Sequence, residues 1–266
     1  MNVRGLPILC RAAVTLVLAG CATVSNVPDP ASVHALAPTG KLRVGLYPGT
    51  PTSIVGDVAS GNARGVGFEL GQELAKRSGV SFEPVVFPNN AAVFAAAKAG
   101  SVDMVFTNAS PVRMRDLDFS AAVLQVEQGY LVPSGSVISD LAEIDRAGVR
   151  VGVSEGSTSE ATLSRELRNA TVVRTASLEA AIGMLAAGKL DAFGTNKAIL
   201  FEMSDRLPGS RVLTGRYGLE SLAIGIPKGR DAAMPLVNSF VKDVKANGGV
   251  ASAIERAGLR GAVPAS

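Results

Sequence analysis

The strand-and-turn phrase Arg43-Val44-Gly45, with Gly49-Thr50 four residues beyond its glycine, returns as Arg150-Val151-Gly152, with Gly156-Ser157 at the same distance. A second phrase recurs in register. An alanine-rich stretch ends at Gly100 and enters Val102-Asp103-Met104-Val105, and another ends at Gly188 and enters Leu190-Asp191-Ala192-Phe193. A chain that states one plan twice is expected to fold as two similar α/β lobes. The crevice between them, beyond the carboxyl ends of their strands, is where a ligand is expected.

Periodicity fills in the plan. A strand is expected at 42–46, a helix at 65–78 whose Leu70, Leu74 and Ala75 share one face, and a stop at Gly79. A short strand at 85–87 between Pro84 and Pro88, a helix at 91–99 and a strand at 102–106 complete the first unit. The second unit reads as strand 149–153, helix 158–168, strand 172–173, helix 178–187 and strand 190–193. A helix at 197–204, strands at 211–213 and 222–226, and helices at 232–246 and 250–257 follow. This β-α-β-α-β order belongs to a parallel sheet with helices on its faces, so the fold class is α/β with two Rossmann-like lobes. The extended segments 124–132 and 219–226 flank the second unit. Read as two hinge crossings, they assign 41–128 and 222–262 to a discontinuous lobe 1 and 129–221 to lobe 2, and permit closure about a few backbone torsions.

Ahead of the lobes, Arg4 and Arg11 precede the apolar run 12–19. That run is shorter than the ~20 apolar residues of a membrane-spanning helix and reads as an export signal. It closes with Leu18-Ala19-Gly20-Cys21, which is similar to a bacterial lipobox, whose cysteine thiol receives a diacylglycerol. Residues 1–20 are therefore expected to be a leader, 21–40 a flexible tether, and Cys21 the point of lipidation. The other reading, Cys21 buried in an N-terminal helix, fails on the segment 22–40, which carries Pro28, Pro30 and Pro38 without a usable period. A periplasmic or cell-surface location, anchored to the membrane through that lipid, follows.

The rare residues then exclude several chemistries. Cys10 falls in the leader, so Cys21 is left as the mature chain's cysteine and neither a disulfide nor a thiolate metal site is expected. The single histidine, His34, sits in the proline-flanked tether, which removes Ser-His-Asp, Cys-His and multi-histidine zinc designs. The formal charge of +3 falls to +1 once Arg4 and Arg11, the two charged residues of the leader, are gone. With no tryptophan and no basic cluster interleaved with aromatics, nucleic acid is not an expected partner. No cofactor or metal is expected, and the chain is expected to be a monomer.

The densest polar stretch, 107–120, directly follows the strand at 102–106, the expected ligand side of a sheet. Its Ser110-Pro111-Val112-Arg113 and Leu117-Asp118-Phe119-Ser120 resemble a turn of the family 3 solute-binding proteins of bacterial ABC importers, the type II periplasmic binding proteins. Other matching phrases occur in order: Leu42-Arg43-Val44-Gly45, Gly67-Phe68-Glu69-Leu70, Gly100-Ser101-Val102-Asp103, Val151-Gly152-Val153 with Gly156-Ser157-Thr158, and Leu190-Asp191-Ala192. The resemblance spans about residues 41–260 and implies the two-lobed, hinged fold of that family. It also implies a receptor that is not an enzyme, capturing a small carboxylate-bearing solute for an ABC permease.

The resemblance assigns Arg113 to the ligand's carboxylate, for which a guanidinium offers a bidentate fork. A surface arginine pairing with Asp116 or Asp118 is the alternative. Gly156, Ser157 and Thr158 stand at a helix start, whose free N–H groups and dipole attract an anion; Ser157 or Thr158 can equally cap that helix. Asn108 and Ser110 belong to the gripping turn, and Tyr47 either lines the cleft or caps the sheet. Amino-acid binders of the family place an aspartate, partner of the α-ammonium, where this chain has Asn196. An amide provides no full charge there. The first-lobe loop reads Tyr47-Pro48-Gly49-Thr50 where family members often carry Tyr-Pro-Pro-Phe, so one aromatic wall is missing. Two other functions use the same cleft: a dehydratase similar to the cyclohexadienyl dehydratases, and the binding subunit of a sensor. An enzyme without histidine needs an acid or a lysine in the cleft. Glu69, Glu155 and Glu220 are the nominal candidates, each expected instead at a solvated face or helix start.

Overall fold

The computed structural model describes residues 28–265 together with Met1; the rest of the leader and Cys21 lie outside the described residues. The tether expected through residue 40 is folded in its second half. Asp29 accepts hydrogen bonds from the N–H groups of Ala31 and Ser32, and Pro30 occupies the first turn of helix α1 (Pro30–Leu36). A proline costs nothing there, since that N–H has no intrahelical partner. The proline read as a breaker is a starter, and Leu36 is fully buried while His34 is exposed.

The first unit runs β1 (Lys41–Leu46), α2 (Val66–Ser78), β2 (Ser81–Val86), α3 (Asn90–Lys98), β3 (Met104–Asn108), β4 (Leu117–Phe119) and β5 (Leu124–Val132). Next come β6 (Arg150–Ser154), α4 (Thr158–Glu166), β7 (Thr171–Thr175), α5 (Leu178–Ala186), β8 (Ala192–Asn196), α6 (Lys197–Asp205) and β9 (Arg211–Val212). The chain closes with β10 (Gly218–Pro227), α7 (Met234–Ala246), α8 (Gly249–Ala257) and β11 (Ala262–Pro264). The strands join in the order β2-β1-β3-β10-β5-β8-β6-β7. β2 is longer than the expected 85–87 and contains Pro84, which is tolerated because β2 pairs with β1 alone at the sheet's edge.

The repeated phrases are physically joined, and in the same way twice. In the first unit the Arg43 N–H and Nε donate to Asp103 Oδ2 at 2.9 and 2.8 Å, while Nη2 donates to Asp103 Oδ1 at 2.6 Å and to the Gly100 carbonyl at 2.9 Å. In the second, Arg150 makes the corresponding four bonds to Asp191 and the Gly188 carbonyl at 2.7 to 2.8 Å. Each arginine thus ties the start of one strand to the start of its parallel neighbour. The opposite, carboxyl ends of both strands are left to face the cleft.

Two antiparallel strands cross between the units. β10 pairs with β3 through Leu222–Gly225 and with β5 through Gly218–Leu222, whereas β5 pairs with β8 through Gln128–Leu131. One buried cluster unites Leu42 and Val44 of β1, Leu70 and Leu74 of α2, and Phe240 and Val241 of α7; another unites Val151 and Val153 of β6 with Leu163 of α4 and Tyr130. The C-terminal helices therefore pack on the first unit.

Candidate functional site

Between the units lies a cleft of about 720 Å³, counting its open mouth. Tyr47, Asn108 and Arg113 line it from one side, Ser157, Thr158 and Asn196 from the other, and Glu220 and Leu222 of β10 form its floor. Six of the seven binding residues expected from sequence therefore meet in one space. Ser110 does not. Its hydroxyl lies 3.5 Å from the Arg113 N–H, supporting the turn, and it borders a separate opening beside the cleft.

Arg113 begins a single 3-10 turn, 113–115, and is 5 % exposed. Its Nη1 donates to Thr107 Oγ1 on β3, and its guanidinium carbon stands 5.7 Å from the Phe94 ring centroid. Nη2 is buried and has no hydrogen-bond partner among the described residues. The surface alternative is not what the geometry gives, because Asp116 pairs with Lys98 at 3.1 Å and Asp118 with Lys228. Burial pulls the Arg113 pKa down, against the upward pull of Glu220, but a guanidinium remains charged.

The helix start opposite is narrower as an anion site than expected. Ser157 caps α4, its Oγ accepting from Glu160 N–H at 3.0 Å. The Gly156 N–H donates to Glu160 Oε2 at 2.6 Å and the Ser157 N–H to the Ser154 carbonyl. The N–H groups of Thr158 and Ser159 are then the donors left for a ligand. Tyr47 is both half-buried against the core cluster that includes Val93 and Val105 and a wall of the cleft, and burial raises its pKa to about 12. In the corner where the aromatic is missing, Leu178 of α5 leans in: a Cβ on Gly49 would stand 3.2 Å from its Cδ1.

Glu220 overturns its expected place at a solvated face. It is 7 % exposed on the crossing strand β10, and Gln128 of the other crossing strand donates to its Oε1 at 3.0 Å. Gln128 also reaches Ser159 Oγ at 3.3 Å, which in turn accepts from Tyr217 Oη at 2.9 Å. Gly218 makes this possible, since a Cβ there would fall 2.3 Å from Gln128 Oε1. Burial holds the Glu220 carboxyl above its ordinary range, although the Arg113 charge and the side chains of Asn196, Thr158 and Asn108 draw it back. Asn196 is buried too, and its Oδ1 accepts from Ile199 N–H at 3.1 Å as the cap of α6. Of the other two acids, Glu155 is exposed at the mouth and Glu69 lies away from the cleft, bonded to Arg256 at 2.6 Å. Among the described residues no group of histidine, cysteine, aspartate and glutamate side chains could hold a metal ion.

The units touch across the mouth. Asn89 Nδ2 donates to the Ala176 carbonyl at 3.1 Å, and a Cβ on Gly156, whose φ is +68°, would stand 2.8 Å from Ala91 Cβ on α3. Two α/β lobes, two crossing strands and a polar cleft between them define a type II periplasmic binding protein fold. The chain belongs to the bacterial extracellular solute-binding proteins, family 3, whose model matches residues 42–258. It is 23 % identical to the ABC transporter glutamine-binding protein GlnH of Bacillus subtilis over 224 residues, 82 % of this chain and 81 % of that one. Among solved structures it is similar to a solute receptor for L-cysteine of Neisseria gonorrhoeae, with a TM-score of 0.76 and 23 % identity over 85 % of this chain and 92 % of that one. It is also similar to an ancestral amino acid-binding protein described as a precursor of cyclohexadienyl dehydratase, with a TM-score of 0.73 and 24 % identity over 85 % and 98 % of the two chains.

Proposed function

We propose that this chain is a lipid-anchored extracytoplasmic receptor that closes on a small carboxylate-bearing solute, an amino acid or related organic acid, and presents it to an ABC permease. The observation that carries the reading is the Arg113 guanidinium, buried in the cleft with Nη2 unpartnered. A buried donor without an acceptor costs about 1–3 kcal/mol, more when charged, and a ligand carboxylate supplies the acceptor. The N–H groups of Thr158 and Ser159 meet the same anion from the other lobe, so a bound carboxylate favours closure over opening. That difference between states is what a ligand needs in order to shift a conformational equilibrium. Relatives that bind glutamine and cysteine support the solute class.

Thermal melting against amino acids, dicarboxylates and other organic acids tests the reading. A solute at a hundredfold excess over its dissociation constant stabilises by about 2.7 kcal/mol. A panel that leaves the melting temperature unmoved sinks it. Closure has its own test at Ala91. Ala91→Leu puts bulk against Gly156 when the lobes meet but not when they part. It is expected to weaken binding about tenfold, or ~1.4 kcal/mol, with the ligand-free melting temperature unchanged; unaltered affinity by calorimetry would show that the contact is not part of closure. For the anchor, Cys21→Ser is expected to move the protein from the membrane pellet to the soluble fraction of fractionated cells. A wild-type chain already soluble contradicts lipidation.

A second reading rests on Glu220. A buried carboxyl whose pKa is raised by desolvation can serve as a proton donor, as a dehydratase in this cleft requires. Turnover of prephenate or arogenate separates the two, because a receptor returns its ligand unchanged.

A further inference from the structure

The segment that follows α8 leaves the unit that α8 completes. Leu259 still belongs to the buried cluster of the first unit, but the next residue reaches the second. Arg260 Nη1 donates to Asp205 Oδ1 at 3.2 Å, and Nη2 donates to Glu202 Oε1 at 3.3 Å and to Asp205 Oδ2. The guanidinium carbon also stands 5.0 Å from the Phe201 ring centroid. All three partners lie on α6, whose Ile199, Leu200 and Met203 are buried in a cluster of the second unit. β11 then pairs with the crossing strand β5, Ala262 opposite Val126, and the Gly261 carbonyl accepts from the Glu127 N–H at 3.2 Å. We propose that Leu259–Pro264 is a third, noncovalent crossing between the units, whose clasp on α6 favours the closed arrangement and so tunes solute affinity from outside the cleft. This rests on the receptor reading above for its link to a solute.

The fit of the segment on α6 depends on a bare backbone. Gly261 has φ +74°, and a Cβ there would stand 2.8 Å from Lys197 Cβ on the first turn of α6. Lys197 in turn donates to Glu127 Oε2 at 2.7 Å, and Arg216 Nη1, just ahead of β10, donates to Glu127 Oε1 at 3.0 Å. At this one hinge residue the backbone therefore holds the tail while the side chain holds α6 and the approach to β10. Rotation about the crossing strands moves α6 relative to α8, so the clasp belongs to the arrangement in which the units also touch through Asn89 and Ala176. Contacts made in one state and lost in the other shift the population toward the first. Apparent affinity falls with the fraction of molecules in the binding-competent state. None of Arg260, Phe201, Glu202 and Asp205 lines the cleft, so their effect on affinity has to pass through that population. The Arg260 and Asp205 side chains are 43 % and 60 % exposed, and water keeps each pair modest in strength. The clasp thus adjusts closure without deciding it.

The test reverses the charge and then swaps the pair. Arg260→Glu is expected to weaken binding of a solute found in the melting panel about tenfold by calorimetry, or ~1.4 kcal/mol. Small-angle scattering on the ligand-free variant should show a larger radius of gyration than the wild type. Adding Asp205→Arg to Arg260→Glu rebuilds an ion pair of opposite sense, and is expected to bring affinity and radius back to within a few fold and to the wild-type value. Wild-type affinity in Arg260→Glu overturns the inference even if the melting temperature falls, because the segment then only adds stability. A loss of affinity that the swap leaves unrepaired overturns it as well; in both cases the receptor reading stands. If no solute in the panel binds, the receptor reading fails, and scattering alone still decides whether the tail holds the units together: an unchanged radius in Arg260→Glu means that it does not.

Discussion

Replacing Arg113 by alanine is expected to weaken ligand binding a hundred- to ten-thousandfold. The guanidinium offers the cleft a free Nη2 and a planar fork fixed by Thr107 and the Phe94 ring, so two charge-assisted bonds to a carboxylate are within its reach. Each contributes roughly 1.5–3 kcal/mol, and each ~1.4 kcal/mol is a tenfold change in affinity. Lysine should not rescue, because a point charge cannot reproduce the fork. The measurement is calorimetry on protein stripped of bound solute by unfolding and refolding. Removing Arg113 also takes away the positive charge that draws the Glu220 pKa down, so in the variant that carboxyl should titrate at still higher pH. The sign can be followed in the ligand-free wild type. Glu220 is raised above its ordinary 4.5, so the folded state holds its proton more tightly than the unfolded one. Its contribution to stability is full below 4.5 and is lost as pH rises through the raised value. Affinity unchanged in Arg113→Ala would remove the carboxylate grip from this residue.

How far the sequence carried the site depends on which signal each residue leaves. Repeats and helix stops are local, and the two units and their parallel strands follow from them. Arg113, Asn108, Ser157, Thr158, Asn196 and Tyr47 fall at strand ends or helix starts, where short-range patterns place them, and the structure gathers them. Ser110 lies in the loop just before the 3-10 turn that Arg113 begins, and its hydroxyl faces the Arg113 N–H rather than the cleft. Glu220 and Gln128 were legible by a different rule. In β10, Glu220 shares the period-two face of Leu222, Ile224 and Ile226, all buried, and in β5 Gln128 follows Leu124 and Val126 on one face. A charged residue at a buried register is a site signal, and it was already present in the extended segment 219–226. The partners across the cleft, such as Asn89 with Ala176 and Gly156 with Ala91, lie far apart in the chain and leave no local trace. The proline at 30 misled for a related reason: whether it breaks or starts a helix depends on what Leu36 can bury against, and that surface is built by α7, some two hundred residues later.

The repeated arginine–aspartate clasps should not be equivalent in energy, and the difference can be measured. Asp103 is fully buried, and all its acceptor capacity is directed at donors: Oδ2 at the Arg43 N–H and Nε, Oδ1 at Arg43 Nη2 and, at 2.7 Å, Arg230 Nη1. Arg230 extends the clasp by donating to the Leu36 carbonyl at 3.2 Å, which ties α1 to the strand starts. Asp191 holds Arg150 alone, with side chains 34 % and 41 % exposed. Asp103→Asn keeps the shape but turns an NH2 group toward one pair of donors and leaves two guanidinium groups short of a counter-charge. Breaking a buried pair in this way costs about 3–5 kcal/mol, and at roughly 2–4 °C per kcal/mol in a chain of this size the melting temperature should fall by about 6–20 °C. Asp191→Asn, screened by water, is expected to cost about 1 kcal/mol or less. The acid limb should differ likewise. Burial pushes the Asp103 carboxyl up, but the bonds from Arg43 and Arg230 outweigh it and leave the pKa below 3.8. Its contribution is therefore complete above 3.8 and is lost as pH falls through the lower folded value, so Asp103→Asn should flatten the steepest part of acid unfolding. Equal losses of stability in the two variants would mean that the clasps act as strand registers in both lobes, and that the third partner, Arg230, adds nothing to the first.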